Sequence, residues 1–210
     1  MEKEIYKVNP IIIYPECILE KGYQDNCFEC NKREKCTSPR SMCIRPYKNH
    51  KYGCPNFGVL PTCPPNIPCM FDQMFDVSDV YAVATKFYLE EFFDKRRKKR
   101  PDLAEGQIRN SRVWQPITLK ENDYGIRDFY LENPDKASYV STRLLECMGV
   151  DVVNTMKEVG LDIIFPPKEI VYRIAFIARV YEESLERYGF EIYEETNVMK
   201  RGIKTLKKSL

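Results

Sequence analysis

Eight of the nine cysteines lie in the first third of this 210-residue chain, and this uneven distribution constrains the fold more than any other feature. They are Cys17, Cys27, Cys30, Cys36, Cys43, Cys54, Cys63 and Cys69, whereas Cys147 stands alone. The sequence shows no apolar secretory segment at its start and no apolar run of the roughly 20 residues that a membrane span needs. We therefore expect a cytoplasmic protein in which dense cysteines serve metal ligation or redox chemistry rather than disulfides.

The cysteine-rich stretch between residues 15 and 70 also contains eight prolines. Proline breaks helices and is excluded from central strands, so long regular elements are not expected there. Each ordered residue costs about 1–2 kcal/mol of backbone entropy, which bound metal would offset where apolar side chains are few. The sequence predicts an α+β protein with a cysteine-rich, loop-dominated metal-binding head packed on a small α/β body. The predicted parts are a cysteine-rich metal-binding region at 1–75, an α+β body at 76–199 and a basic tail at 200–210.

The first cysteine cluster has the spacing Cys-x2-Cys-x5-Cys-x6-Cys and consists of Cys27, Cys30, Cys36 and Cys43. A Cys-x2-Cys pair bends the chain so that two sulfurs converge on one centre. Two further thiolates complete the set of four that zinc or an iron–sulfur cluster requires. The spacing differs both from the bacterial ferredoxin motif and from paired Cys-x2-Cys zinc knuckles. The spacing therefore predicts a metal site without deciding between zinc and an iron–sulfur cluster.

The second cysteine cluster consists of Cys54, Cys63 and Cys69, and proline directly follows the first two. Proline after a ligand turns the chain away and removes a backbone N–H, as is common where a loop wraps a cluster. Three cysteines leave one ligand unassigned. The candidates for it are Cys17, His50, Cys147, a water molecule or an exogenous substrate. An open position would allow Lewis-acid or sulfur chemistry, whereas a closed centre is structural or transfers electrons.

Three phrases carry a resemblance to a known family. They are Tyr52-Gly53-Cys54-Pro55-Asn56-Phe57-Gly58 with Cys63-Pro64-Pro65, Cys43-Ile44-Arg45-Pro46 after the Cys27–Cys30 pair, and Glu146-Cys147-Met148-Gly149-Val150-Asp151-Val152. Together they resemble the uncharacterised family of predicted metal-binding proteins of unknown function, although the order of the two cysteine motifs differs from that family. The resemblance implies cysteine-bound metal, in iron–sulfur form, on a small α+β scaffold. It implies no established reaction.

The body of the chain carries clear helix and strand patterns. β-Branched and aromatic residues at 77–88 predict a strand covered on both faces, and 89–99 predicts a helix with acidic residues first and basic residues last. A helix is predicted at 151–160, then a strand from 169 to about 178 and a short helix ending at Gly189. The mostly polar middle, 102–133, predicts no defined element, and the basic tail is expected to be mobile.

A basic run at 95–100, with Arg109 and Arg112 beyond it, is a second candidate for function. Such a run could bind the phosphates of RNA or DNA. The formal net charge of +2 does not require nucleic-acid binding. Basic side chains at the end of a helix also stabilise its dipole, which is a simpler explanation of the run. The only tryptophan, Trp114, could stack on a ligand or pack in the core. Nucleic acid is therefore not the favoured partner.

The sequence leads to one principal hypothesis and one alternative. The first is an iron–sulfur protein with one or two [4Fe-4S] clusters held by the seven clustered thiolates, which serves electron transfer to a protein redox partner or cluster-based, sulfur-handling chemistry. The alternative is a zinc-binding structural module that contacts RNA, DNA or a protein, with His50 completing the second site. Common phosphate-binding and nucleophile motifs are not found, so whether the protein is an enzyme stays open.

Overall fold

A computed structural model describes residues 1–14, 38–46, 50–164, 167–196 and 202–208. Within these residues the protein has a mixed α/β fold with a six-stranded sheet and several helices. The predicted ligands Cys27, Cys30 and Cys36, and the alternative ligand Cys17, lie outside the described residues. The predicted division into head, body and tail therefore stays a prediction.

The sheet has the strand order β1-β2-β4-β3-β6-β5. Its strands are β1 (Glu2–Val8), β2 (Val80–Tyr88), β3 (Val140–Thr142), β4 (Ile170–Ala178), β5 (Phe190–Glu194) and β6 (Lys204–Lys208). All neighbours are antiparallel except β3 and β6, which run parallel. β4 therefore lies in the interior of the sheet and links its two halves.

The described residues also contain five α-helices. These are α1 (Leu89–Lys99), α2 (Glu105–Ile108), α3 (Ser111–Glu132), α4 (Val152–Glu158) and α5 (Glu182–Tyr188). Short 3-10 helices lie at Pro39–Cys43, Phe71–Gln73, Pro134–Lys136 and Glu146–Met148. Among the described residues, we find no helix of the length and apolar character that a membrane crossing requires.

Most of the predicted elements of the body are confirmed. The strand at 77–88 is β2, which begins three residues later than predicted, and the helix at 89–99 is α1. The helix at 151–160 is α4, with Asp151 capping it through a hydrogen bond from the Asn154 amide to its carboxylate (3.0 Å). The strand ending at about Ala178 and the helix before Gly189 are β4 and α5.

One element was not predicted, and one expectation was wrong. The polar middle of the chain contains the 22-residue helix α3, for which the sequence predicted no element. The basic tail, expected to be mobile, contributes β6 to the sheet. Helix α3 buries polar residues, among them Asn122 and Asp123, so its buried face does not read as apolar in the sequence. β6 escapes detection because lysines occupy much of a strand that pairs only with β5 and, through one residue pair, with β3.

Both faces of the sheet are covered, as predicted for β2. Helix α3 covers one face, where Ile126 and Phe129 pack against Val83. The approach is close, because a Cβ atom at Gly125 of α3 would lie 2.8 Å from Val83 Cγ1. The other face is covered by the chain from Ile67 to Phe75 and by residues around α4. These two layers bury β2 and the second half of β4.

The shortness of β3 leaves part of β4 without a neighbour on one side. β3 pairs with β4 only from Val140, opposite Ala178, to Thr142, opposite Phe176. On this side the described residues provide no strand partner for the first half of β4. Residues 170–174 are accordingly half-buried, whereas 175–178 are fully buried. A recess therefore opens at this edge of the sheet.

Candidate metal centre

Two short 3-10 helices from distant parts of the chain bring two cysteines together. Cys43 ends the helix Pro39–Cys43, and Cys147 lies in the helix Glu146–Met148. Their Sγ atoms are 3.8 Å apart. Both side chains are half-buried, so the pair lies at the edge of the core rather than on an open surface.

A buried arginine fixes the relative positions of these segments. Arg40 is 1% exposed, and its guanidinium donates hydrogen bonds to the carbonyl oxygens of Cys147 (2.6 Å), Pro68 (2.8 Å) and Ile67 (3.3 Å). A buried guanidinium without such acceptors would be strongly unfavourable. Arg40 therefore joins the helix that carries Cys43 to the backbone of Cys147 and to the chain before Cys69.

Cys54 approaches the pair through the backbone of Cys43. The Cys54 amide donates to the Cys43 carbonyl oxygen at 2.9 Å. The preceding residue, Gly53, has φ of +89°, and a Cβ atom there would lie 2.7 Å from the same carbonyl oxygen. Only glycine permits this approach without displacing the backbone. Glycine at position 53 is therefore needed for Cys54 to pack against the backbone of Cys43 in the candidate centre.

Cys63 belongs to a series of tight turns that follows Cys54. Its amide donates to the Leu60 carbonyl at 3.0 Å, and the Gly58 amide donates to the Pro64 carbonyl at 2.8 Å. Burial raises the pKa of the Cys63 thiol, and the neighbouring Cys54 and Cys43 raise it further. Three cysteines of the two predicted clusters are therefore close enough to influence one another electrostatically.

Cys43 and Cys147 titrate as a coupled pair with opposite shifts. A hydrogen bond from the Cys147 thiol lowers the pKa of Cys43 to about 7; burial opposes this shift, and the Arg40 charge adds to it. The pKa of Cys147 is raised, first by its hydrogen bond with Cys43 and then by burial. The contact between the two sulfurs and the charge of Arg40 therefore favour the thiolate form of Cys43.

The remaining candidate ligands have different surroundings. Cys69 is fully buried, and His50 is half-buried with its carbonyl oxygen accepting from the Gly53 amide (3.2 Å). None of the cysteines that the structure describes forms a disulfide. In the same residues, no group of three or more His, Cys, Asp or Glu side chains converges tightly enough to hold a metal ion.

Sequence reasoning named Cys147 only as one of several candidates for the missing ligand and did not single out Arg40. No spacing rule identifies a cysteine more than a hundred residues away, because its approach depends on tertiary structure. The phrase Glu146-Cys147-Met148-Gly149 was the available signal, and Gly149 does adopt φ of +75° to end the 3-10 helix. The sequence around Arg40 does not indicate that this residue is buried, so its role could not be predicted.

The basic run at 95–100 is largely engaged with nearby carboxylates. Arg97 pairs with Asp94 and Glu105 (both 2.6 Å), and Arg100 pairs with Asp102 (2.7 Å). Arg109, beyond the run, also contacts Glu105, at 2.5 Å. These exposed pairs are typical of a solvated surface.

Comparison with known proteins gives no independent assignment. No protein-family model, curated protein or solved structure matches this chain.

Proposed function

We propose that this protein binds metal through cysteine thiolates and that its cysteine-rich, loop-dominated region forms the metal-binding head. The observation that supports the proposal most is the 3.8 Å approach of Cys43 to Cys147, reinforced by the proximity of Cys54 and Cys63. Thiolates are the ligands, so the lowered pKa of Cys43 favours metal binding. Membership in the uncharacterised metal-binding family is part of the same proposal.

Iron–sulfur is the form of metal that we propose first. Adding Cys147 to the seven cysteines of the two clusters gives eight thiols, enough for two sets of four. Two such centres would exchange electrons with a protein redox partner in the cytoplasm. If Cys147 stayed unligated, the second centre would have an open iron for sulfur-handling chemistry. Cys27, Cys30 and Cys36 would supply ligands from outside the described residues.

The distance between Cys43 and Cys147 favours a second candidate, a single zinc ion. In tetrahedral geometry, a zinc ion with Zn–S distances of about 2.3 Å separates its sulfurs by about 3.8 Å. The observed Sγ–Sγ distance is 3.8 Å. In a [4Fe-4S] cluster each thiolate binds a different iron, so the sulfurs lie farther apart. A shared ion would make this centre a structural clamp between the head and the body.

Anaerobic purification followed by a visible spectrum and iron, zinc and acid-labile sulfide analysis tests the proposal. Iron–sulfur predicts broad visible absorbance with matching iron and sulfide, because these clusters absorb where d10 zinc is silent. Zinc predicts a colourless protein with about one or two zinc ions, as four-coordinate thiolate sites would hold. A purified, folded protein that contains neither metal and takes up neither during reconstitution would contradict the proposal.

A further inference from the structure

A cavity of about 300 Å³ lies where β3 ends beside the unpaired half of β4. It is lined by three charged residues, Arg143, Glu146 and Arg173. The rest of its described lining is largely apolar and consists of Leu145, Val152, Val153, Ile163, Tyr172 and Ile174. Two guanidinium groups at one small cavity are costly to maintain without a reason. Each of these guanidinium groups therefore needs partners that offset its charge.

Arg143 is held by two residues of α3. Its Nε donates to Asn122 Oδ1 at 2.9 Å and its Nη2 donates to Asp123 Oδ1 at 2.6 Å. Asn122 is fully buried, and its amide donates to the carbonyl oxygens of Val83 (3.0 Å) and Arg173 (3.1 Å). The charge of Arg143 is therefore balanced by Asp123, and its side chain is fixed in place.

Arg173 is not compensated in the same way. Its buried Nε has no hydrogen-bond partner among the described residues. Burial lowers the pKa of Arg173, and the nearby Arg143 lowers it further. Asp123 and Glu146 oppose these shifts with smaller effects. Because arginine stays protonated in proteins, Arg173 places a positive charge beside the cavity.

A second cavity, of about 290 Å³, adjoins the first and shares Ile163, Tyr172 and Arg173 with it. Its further lining is mainly apolar and consists of Trp114, Gln115, Thr118, Ile164, Pro167, Ile170 and Val171. The ring of Trp114 stacks on that of Phe87, with centroids 6.3 Å apart and planes inclined by 23°. Trp114 is thus fixed as a rigid aromatic wall, while Arg173 lies at both cavities.

We propose that these joined cavities bind a small carboxylate with an apolar body, its carboxylate paired with Arg173 and its hydrocarbon part lying beside Trp114. A planar guanidinium recognises a carboxylate through charge-assisted hydrogen bonds. An apolar cavity with a few convergent polar groups is the usual form of a small-molecule site. Glu146 and Asp123 disfavour a highly charged anion, because their two negative charges already equal the two positive charges of Arg143 and Arg173. The two residues proposed to hold the ligand, Arg173 and Trp114, are not among the proposed metal ligands.

The single tryptophan makes the test specific, since all tryptophan fluorescence reports on Trp114. The full-length protein, as purified, is titrated with phenylacetate and with its neutral isostere phenylacetamide. We expect phenylacetate to change the fluorescence in a saturable manner and phenylacetamide to bind at least tenfold more weakly. Inorganic phosphate serves as a competitor. Displacement of phenylacetate by phosphate at similar concentrations would replace the carboxylate assignment with a general anion site.

Arginine variants provide the second arm of the test. Arg173→Gln is expected to weaken phenylacetate binding at least tenfold, and Arg173→Lys is expected to weaken it less because the charge is kept. Arg100→Gln, which removes an exposed arginine paired with Asp102, is the matched control and should bind as the wild type does. Equal binding of phenylacetate and phenylacetamide to the wild type, or undiminished binding by folded Arg173→Gln, would overturn the proposal.

Discussion

The sulfur atoms of Cys43 and Cys147 lie 3.8 Å apart although 104 residues separate them in the chain. Arg40, buried behind them, binds the backbone of Cys147 and the carbonyl oxygens of the chain before Cys69. The cysteine-rich stretch and the sheet-based part of the protein therefore meet at a pair of thiols. Metal binding at this pair would link the order of the N-terminal third to the stability of the fold.

Arg40→Met should destabilise the protein by about 2–4 kcal/mol, because removing a buried guanidinium leaves desolvated carbonyl oxygens without donors. Urea unfolding of metal-free protein measures this. Arg45→Met, on an exposed arginine just after the same 3-10 helix, is the control and should change the free energy of unfolding by less than about 0.5 kcal/mol. Equal stability of the two variants would show that Arg40 does not hold the segments together.

Gly53→Ala should destabilise the protein by about 1–3 kcal/mol, because a Cβ atom at positive φ would meet the Cys43 carbonyl oxygen. Gly58→Ala is the matched control. Gly58 also has positive φ, +69°, but a Cβ atom there meets nothing within 4 Å. The difference between the two variants in urea unfolding therefore isolates the close approach of residue 53 to the Cys43 carbonyl oxygen. Losses of the same size would mean that backbone conformation alone is responsible.

Asp79 should make stability depend on pH in the acidic range. Hydrogen bonds from Lys136 (2.8 Å) and Tyr139 (2.6 Å) hold the pKa of this carboxyl well below its usual value. A lowered pKa in the folded state stabilises the protein above the unfolded pKa of about 3.9, and the contribution is lost as the pH falls below that value. Asp79→Asn should therefore cost about 1 kcal/mol at pH 7 and progressively less below about pH 4.

Thermal or urea unfolding at several pH values checks this behaviour. Asp135→Asn is the control, because Asp135 is 72% exposed and lies 3.6 Å from the same lysine. It should change the free energy of unfolding by less than about 0.5 kcal/mol across the range. A penalty for Asp79→Asn that grows as the pH falls would have the wrong sign and would contradict the assignment.

Hydrophobic periodicity predicted the elements whose burial follows a simple rule. β2 and β4 are rich in β-branched and aromatic residues, and α1 and α5 have charges or glycine at the ends where helices favour them. Helix α3 could not be recognised in this way. Its buried face includes Thr118, Asn122 and Asp123. The partners of Asn122 and Asp123 are β-strand backbone and the Arg143 side chain, which only the folded structure provides.

The sequence predicted the chemistry of the candidate centre but not which residues form it. Cysteine density pointed to thiolate ligation, and Gly53 and Cys54 belonged to a phrase recognised from the sequence. The approach of Cys147 to Cys43 depends on how two 3-10 helices dock, which local pattern does not encode. Arg173 was missed for a similar reason, since the cavity that it lines arises only where β3 stops short of the first half of β4.

The most direct test of the account is the metal content per chain of Cys147→Ala, measured together with Cys43→Ala and the control Met42→Ala after anaerobic purification. Met42 neighbours Cys43 on the same 3-10 helix and is 55% exposed, so its loss should leave the metal unchanged. The account predicts that both cysteine variants lose the same centre while remaining folded. A folded Cys147→Ala protein that keeps the full metal content of the wild type would contradict it.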